Sequence, residues 1–209
     1  MCGRFTLGVE PVELQEAFDL SEAPGDWVLR ENIAPTQPVA VLAFADNRKI
    51  EYMRWGLVPS WAKDISIGSK MFNARAETIQ EKPSFRTAFA RRRCLIPADG
   101  FYEWQKQEKG PSKPFRFQLL EKKPFAFAGL WELWHSPEGD ELKSCTIITT
   151  EANSLVALVH PRMPVILDTK TCWQWIEGRD LSILQAMLRP FPAGQMESLA
   201  VERMPKDPV

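Results

Sequence analysis

Cys2 stands directly behind the initiator methionine in Met1-Cys2-Gly3-Arg4, so trimming of Met1 would make it the first residue of the chain. Initiator methionine is usually removed before a small residue. A free amino-terminal cysteine carries two nucleophiles on adjacent carbons, an α-amine titrating near ~8 and a thiol near ~8.5. The amine can condense with an aldehyde to a Schiff base. The thiol can then add to the same carbon and close a five-membered thiazolidine. Alternatively, the thiolate attacks an amide while the chain's own amine serves as base.

Three further stretches carry side chains of the right kinds. In Phe72-Asn73-Ala74-Arg75-Ala76-Glu77, an amide, a cation and a carboxylate alternate. On an extended strand Asn73, Arg75 and Glu77 would share a face, either solvated or lining a site. Glu103 sits between Tyr102 and Trp104. Desolvation among aromatic rings would raise its pKa toward the general-acid range. The alternative has Glu103 in water with Tyr102 and Trp104 packed inward. His160 lies in His160-Pro161-Arg162-Met163-Pro164 and can shuttle protons near neutrality, although a lone loop histidine is more often structural. His135 receives no role.

These side chains must be positioned by elements legible in the pattern. Residues 10–18 predict a short amphipathic helix with Pro11 in its first turn. Strands are expected at 39–44 and 50–55 with a hairpin through Asp46-Asn47, and at 115–119, 125–131 and 145–150. Cys94 through Trp104 predicts a hairpin about Asp99-Gly100. Helices are expected at 84–90, 153–159, 169–177 and 181–188, with Trp173, Ile176, Leu181 and Leu184 as core candidates. Between them, Gly56-Leu57-Val58-Pro59-Ser60-Trp61 forms a loop, with Trp55 packed inward and Trp61 more exposed. Residues 106–113 form a polar, mobile loop, and the last residues fray. Arg91-Arg92-Arg93 is read as solvated or ion-paired rather than as a phosphate contact.

The 209 residues suffice for a substantial core, and no linker divides them, so one domain over 1–209 is expected. Eight Trp and twelve Phe exceed what a core alone demands, leaving aromatics to line a site. A net charge of −1 excludes a global basic field, so any phosphate binding must be local. The four cysteines form no CxxC pair, which argues against a metal site. With no signal peptide and no window of ~18 apolar residues, a cytoplasmic protein with reduced thiols and no membrane contact is expected.

Six stretches in order make the chain similar to the SRAP family, the SOS-response-associated peptidases. They are Met1-Cys2-Gly3-Arg4-Phe5, Asn32-Ile33-Ala34-Pro35-Thr36, Arg54-Trp55-Gly56-Leu57-Val58-Pro59-Ser60-Trp61, Asn73-Ala74-Arg75-Ala76-Glu77-Thr78, Arg93 through Trp104, and His160 through Leu167. The resemblance is strongest over residues 1–168. It implies an α+β fold, a single compact domain around a curved, largely antiparallel, barrel-like sheet with flanking helices. It also implies capture of abasic sites in single-stranded DNA by a thiazolidine crosslink at Cys2, through lyase-like Schiff-base chemistry. Carried over by position, Asn73, Glu103 and His160 join Cys2 as catalytic residues. Arg4, Arg75 and Arg162 fall on DNA-contacting positions, with Trp61 and Trp104 near the bases. Ala62 stands where some members carry a second Trp, which implies weaker stacking on that side. The resemblance calls for no metal or cofactor, a monomer, action at the nucleoid during replication and the SOS response, and peptidase activity limited to self-processing.

Two other chemistries share Cys2. An amino-terminal-nucleophile amidohydrolase of the glutaminase type also begins Met-Cys-Gly, and its signature would be glutamine hydrolysis without DNA. A cysteine peptidase would be supported only for removal of what precedes Cys2. A non-catalytic single-strand binder would keep its affinity for undamaged DNA when Cys2 is replaced.

Overall fold

The structure, a computed structural model, describes residues 2–43 and 47–206. Its strands, in chain order, are β1 (Phe5–Leu7), β2 (Arg30–Ile33), β3 (Pro38–Val41), β4 (Glu51–Trp55), β5 (Asn73–Arg75), β6 (Arg93–Ala98) and β7 (Gly100–Gln105). They continue with β8 (Lys113–Leu119), β9 (Phe125–His135), β10 (Glu141–Glu151), β11 (Arg162–Pro164), β12 (Ile166–Leu167) and β13 (Met196–Ala200). Among the described residues, four short helices flank them, α1 (Pro11–Phe18), α2 (Arg86–Arg91), α3 (Cys172–Glu177) and α4 (Leu181–Met187).

The strands form two sheets. One has the order β13-β8-β7-β1-β2. The other runs β12-β9-β10-β4-β3, with β6 added on β9 and both β5 and β11 on β10. Pairing is antiparallel except that β4 and β5 run parallel to β10, giving a curled half-barrel within an α+β fold as expected. Aromatic rings fill the space between the sheets. Phe5 packs edge-on to Trp55 at 5.1 Å and to Phe127 at 5.5 Å, and Phe101 stacks on Phe117 at 5.2 Å. Each such fully buried side chain contributes about 2–3 kcal/mol by area alone.

Several expected elements differ. The 94–104 segment is not a hairpin, because β6 pairs β9 in one sheet while β7 pairs β1 and β8 in the other. The turn between them is a crossover, held where Asp99 accepts from the Gly8 amide at 3.2 Å and from Arg116 at 3.0 Å. Gly100 serves close approach rather than a left-handed turn, since a Cβ there would lie 2.8 Å from the Arg116 guanidinium. A second glycine is conformational: Gly56 has φ +134°, and its Cβ would meet the Gly68 carbonyl at 2.5 Å.

Residues 153–159 form only a 3-10 turn at Val156–Leu158, because Asn153 caps it locally by accepting from the amides of Leu155 and Val156. On α3 the buried residues are Cys172 and Trp175, while Trp173 and Ile176 are half-buried. Leu181 is exposed and Leu184 is core. The expected 39–44 strand ends at Val41 with a bridge at Leu42, and Phe44 and Asp46 lie outside the described residues. The strands expected at 125–131 and 145–150 each extend to eleven residues.

The arginine run resolves into three roles. Arg91 is exposed, and Arg92 pairs with Glu132 at 2.6 Å. Arg93 is buried and donates to the carbonyls of Phe89, Ala90, Trp175, Ile176 and Gly178. Those carbonyls lie at or beside the carboxyl ends of α2 and α3, where helices leave acceptors unsatisfied. A planar five-donor fork is suited to serving two such ends at once.

Among the described residues no helix is long and apolar enough to cross a membrane, and no group of three or more His, Cys, Asp or Glu side chains could hold a metal ion. All four cysteines are unbridged thiols.

Candidate active site

The candidate residues arrive from both sheets. Phe5, locked between Trp55 and Phe127, fixes the chain three residues after Cys2. Trp55 also donates its indole N–H to the Phe72 carbonyl at 2.8 Å and so fixes the residue before Asn73. Through β10, the eight-stranded sheet sets the remaining spacing. Asn73 and Arg75 on β5 pair with Ile147 and Thr149, while Arg162 on β11 pairs with Glu151. One strand therefore holds the Asn73 and His160-Arg162 segments on its two sides. Glu103 comes from β7 in the other sheet, on the same side of that strand as Phe101 and so turned inward.

At the centre, Asn73 Nδ2 donates to the Cys2 carbonyl at 2.8 Å. Asn73 Oδ1 is buried and accepts no hydrogen bond among the described residues. Glu103 is only 2 % exposed, which rules out the solvent-facing alternative, and burial pushes its carboxyl up to about 7. Tyr102 is buried as well, through its opposite face, with its hydroxyl donating to the Glu31 carbonyl at 3.2 Å.

Burial, with the Glu103 carboxylate adding to it, raises the Cys2 thiol far above the ordinary thiol range. His160 Nδ1 lies 4.0 Å from Glu103 Oε1 and 3.0 Å from the Arg162 amide N–H. The same Nδ1 lies 3.1 Å from the Arg162 carbonyl, so the Arg162 backbone offers it both a donor and an acceptor. Burial lowers the His160 pKa and so favours the uncharged ring.

The outer residues are disposed less uniformly. Arg4 donates to Asn32 Oδ1 at 2.6 Å. Arg75 is exposed, and its side chain makes no hydrogen bond or ion pair among the described residues. Arg162 is already engaged, bidentate to Glu77 at 2.5 and 3.0 Å and to the Thr149 carbonyl at 2.7 Å. That hydrogen bond holds the Glu77 carboxyl below its usual range. Glu77 does not extend the β5 strand as the alternation suggested. It sits in a 3-10 turn, Ala76–Thr78, which carries it toward Arg162.

Trp61 is 59 % exposed on a loop pinned by Val58 N to Ser144 Oγ at 2.8 Å and by Trp134 Nε1 to the Ala62 carbonyl at 2.7 Å. Trp104 is half-buried and borders an open cavity of about 570 Å³ with Lys106, Leu158 and His160. Sequence reasoning singled out neither Thr149 nor a role for Asn32. Asn32 falls within a family motif, but Thr149 gives no local signal because its significance is its position on β10.

Comparison with known proteins places the chain among relatives. The family described as SOS response associated peptidase (SRAP) matches residues 1–206. The chain is 43 % identical over its whole length to the abasic site processing protein YoqW of Bacillus subtilis, covering 95 % of that protein. It is 31 % identical to the abasic site processing protein HMCES of Gallus gallus, covering 92 % of this chain and 70 % of that one. A crystal structure of a protein from Bordetella bronchiseptica superposes with a TM-score of 0.85 at 26 % identity, over 97 % of this chain and 100 % of that one. With the family match covering residues 1–206 and a relative 43 % identical over the whole chain, the chain belongs to the SRAP family.

Proposed function

We propose that this protein captures abasic sites in single-stranded DNA by forming a thiazolidine at Cys2 once Met1 has been removed. The observation that carries this reading is that Asn73 holds the Cys2 carbonyl while the buried Glu103 carboxyl lies 4.0 Å from the His160 imidazole. The names of the relatives, abasic site processing proteins, supply the substrate.

Arg4, Arg75 and Arg162 hold phosphates, and Trp61 and Trp104 offer faces to unpaired bases. The ring-opened sugar presents its C1′ aldehyde to the Cys2 amine. Asn73 fixes the Cys2 backbone through Nδ2 and presents Oδ1 to the amine or the sugar oxygen. Attack forms a C–N bond, and the resulting hydroxyl leaves as water when Glu103 and His160 supply and remove protons. A carboxyl with a pKa near 7 can do both at neutral pH. The thiol then adds across the C=N bond. Sulfur bonds to carbon, the thiol proton passes to nitrogen, and the net loss is one water. Holding amine, thiol and aldehyde together supplies several kcal/mol of the barrier, on the order of what good intramolecular reactions achieve.

Intact mass after incubation with an oligonucleotide bearing one abasic site tests the reading. The expected adduct is the summed mass less one water, absent with undamaged DNA. Cys2→Ala leaves an amine capable only of a reducible Schiff base, so its heat-stable adduct is lost. A stable adduct from Cys2→Ala would exclude the thiazolidine. No adduct from protein beginning at Cys2 would exclude capture and direct attention to glutamine hydrolysis.

A further inference from the structure

Beyond β13, residues 201–206 run back over the fold. The Val201 amide donates to the Pro114 carbonyl at 3.0 Å, attaching the start of this segment to β8. Four residues later, the Pro205 carbonyl accepts from Asn32 Nδ2 at 2.8 Å. Asn32 lies on β2, and β8 and β2 are separated by β7 and β1, so residues 201–206 cross three of the four strand spacings of the five-stranded sheet. Met204 and Pro205 are half-buried, while Glu202, Arg203 and Lys206 are exposed. The Pro205 ring fixes its own φ and restricts Met204 to extended backbone, so the strap delivers that carbonyl stiffly.

We propose that this strap is a positioning element for Arg4, acting through the Asn32 side chain. A carboxamide has one acceptor oxygen and one donor nitrogen. With Nδ2 engaged by Pro205, Oδ1 is directed at Arg4 Nη1, 2.6 Å away. Arginine otherwise carries large rotamer freedom that a ligand must freeze. The strap freezes it in advance. The Arg4 backbone is fixed separately, because its carbonyl accepts from the Tyr102 amide at 2.9 Å and lies 3.9 Å from Cys2 Sγ. Loss of the strap therefore frees the Arg4 guanidinium without moving Cys2. The signature is weaker capture of DNA with unchanged chemistry once DNA is bound.

This inference rests on the DNA-binding reading above, and the test separates the two. Full-length protein, the chain ending at Met204, Arg4→Ala, the combination of both, Asn32→Ala and Lys206→Ala are compared. The readouts are affinity for undamaged single-stranded DNA and crosslinking rate at saturating abasic DNA. The expected result is a roughly 3- to 10-fold weaker Kd for the shortened chain and for Asn32→Ala, as befits loss of one ordered charge contact. The saturating rate and Lys206→Ala should match full length. Shortening the chain in the Arg4→Ala background should cost nothing more. Should the full-length protein crosslink while the shortened chain and Asn32→Ala bind DNA equally well, the strap has no such role. The role is equally excluded if shortening weakens binding to the same extent with and without Arg4, or lowers the saturating rate. If full-length protein neither binds nor crosslinks, the DNA-binding reading itself fails.

Discussion

Among single residues, Glu103 and Arg162 are the two groups whose surroundings predict measurable behaviour. Burial raises the Glu103 carboxyl to about 7, whereas an unfolded chain would release that proton near ~4.3. Between those values the folded state holds more protons than the unfolded state, so Glu103 makes stability fall as pH rises through the window. Glu103→Gln should flatten that slope and raise Tm at pH 8, as thermal unfolding at pH 5, 6, 7 and 8 would show. The same substitution should slow crosslinking and remove an inflection near pH 7 from its rate profile.

Arg162 presents the opposite situation. Its guanidinium is bound to Glu77, so on the proposed reading a phosphate would compete with a carboxylate already in place. Glu77→Gln removes that competitor and should tighten single-stranded DNA binding about 2- to 5-fold, measured by fluorescence anisotropy at fixed salt. Glu77 is half-exposed, so little stability should be lost.

Among the elements, β10 and the helix ends joined by Arg93 do most of the positioning. β10 is paired on one side with β4 and β5 and on the other with β9 and β11, so its register sets the distance between Asn73 and Arg162. Arg93 joins the carboxyl ends of α2 and α3 behind the same sheet. Arg93→Met would leave the Phe89, Ala90, Trp175, Ile176 and Gly178 carbonyls without that donor. It should cost about 3 kcal/mol in urea unfolding, within the range for breaking buried charged hydrogen bonds. Arg93→Lys should recover only part, because a single ammonium cannot reach both helix ends. The arginine run itself was legible, but which of its members turns inward was not, since that depends on where two helices end.

For the molecule as a whole, the near-neutral charge limits how DNA would be held on the proposed reading. With a net charge of −1 no long-range field assists binding, and the salt dependence should come from three local arginines. For single strands each neutralised phosphate contributes about −0.7 to the slope of log K against log salt, so a slope near about −2 is expected. A titration giving twice that slope would require basic contacts beyond Arg4, Arg75 and Arg162.

Residue types and local periodicity were enough to define the chemistry available and most of the elements that carry it. An amino-terminal Cys, an amide, a carboxyl between aromatics and an imidazole beside an arginine are properties of residue type. The periodicities of α1, β4 and β8 are local as well. Folding in three dimensions decided the contacts between segments far apart in the chain. Asp99-Gly100 has the composition of a hairpin, yet Thr6, Gly8 and Arg116 hold it as a crossover between sheets. Glu103 could have faced either way, and only the packing of Phe5, Phe101, Phe117 and Phe127 between the sheets puts its side of β7 indoors. The strap that reaches Asn32 from residues 173 positions away left no mark in local pattern. Hydrogen bonds and buried charges depend on distance in space, and sequence spacing reports that distance only within a helix or along a strand.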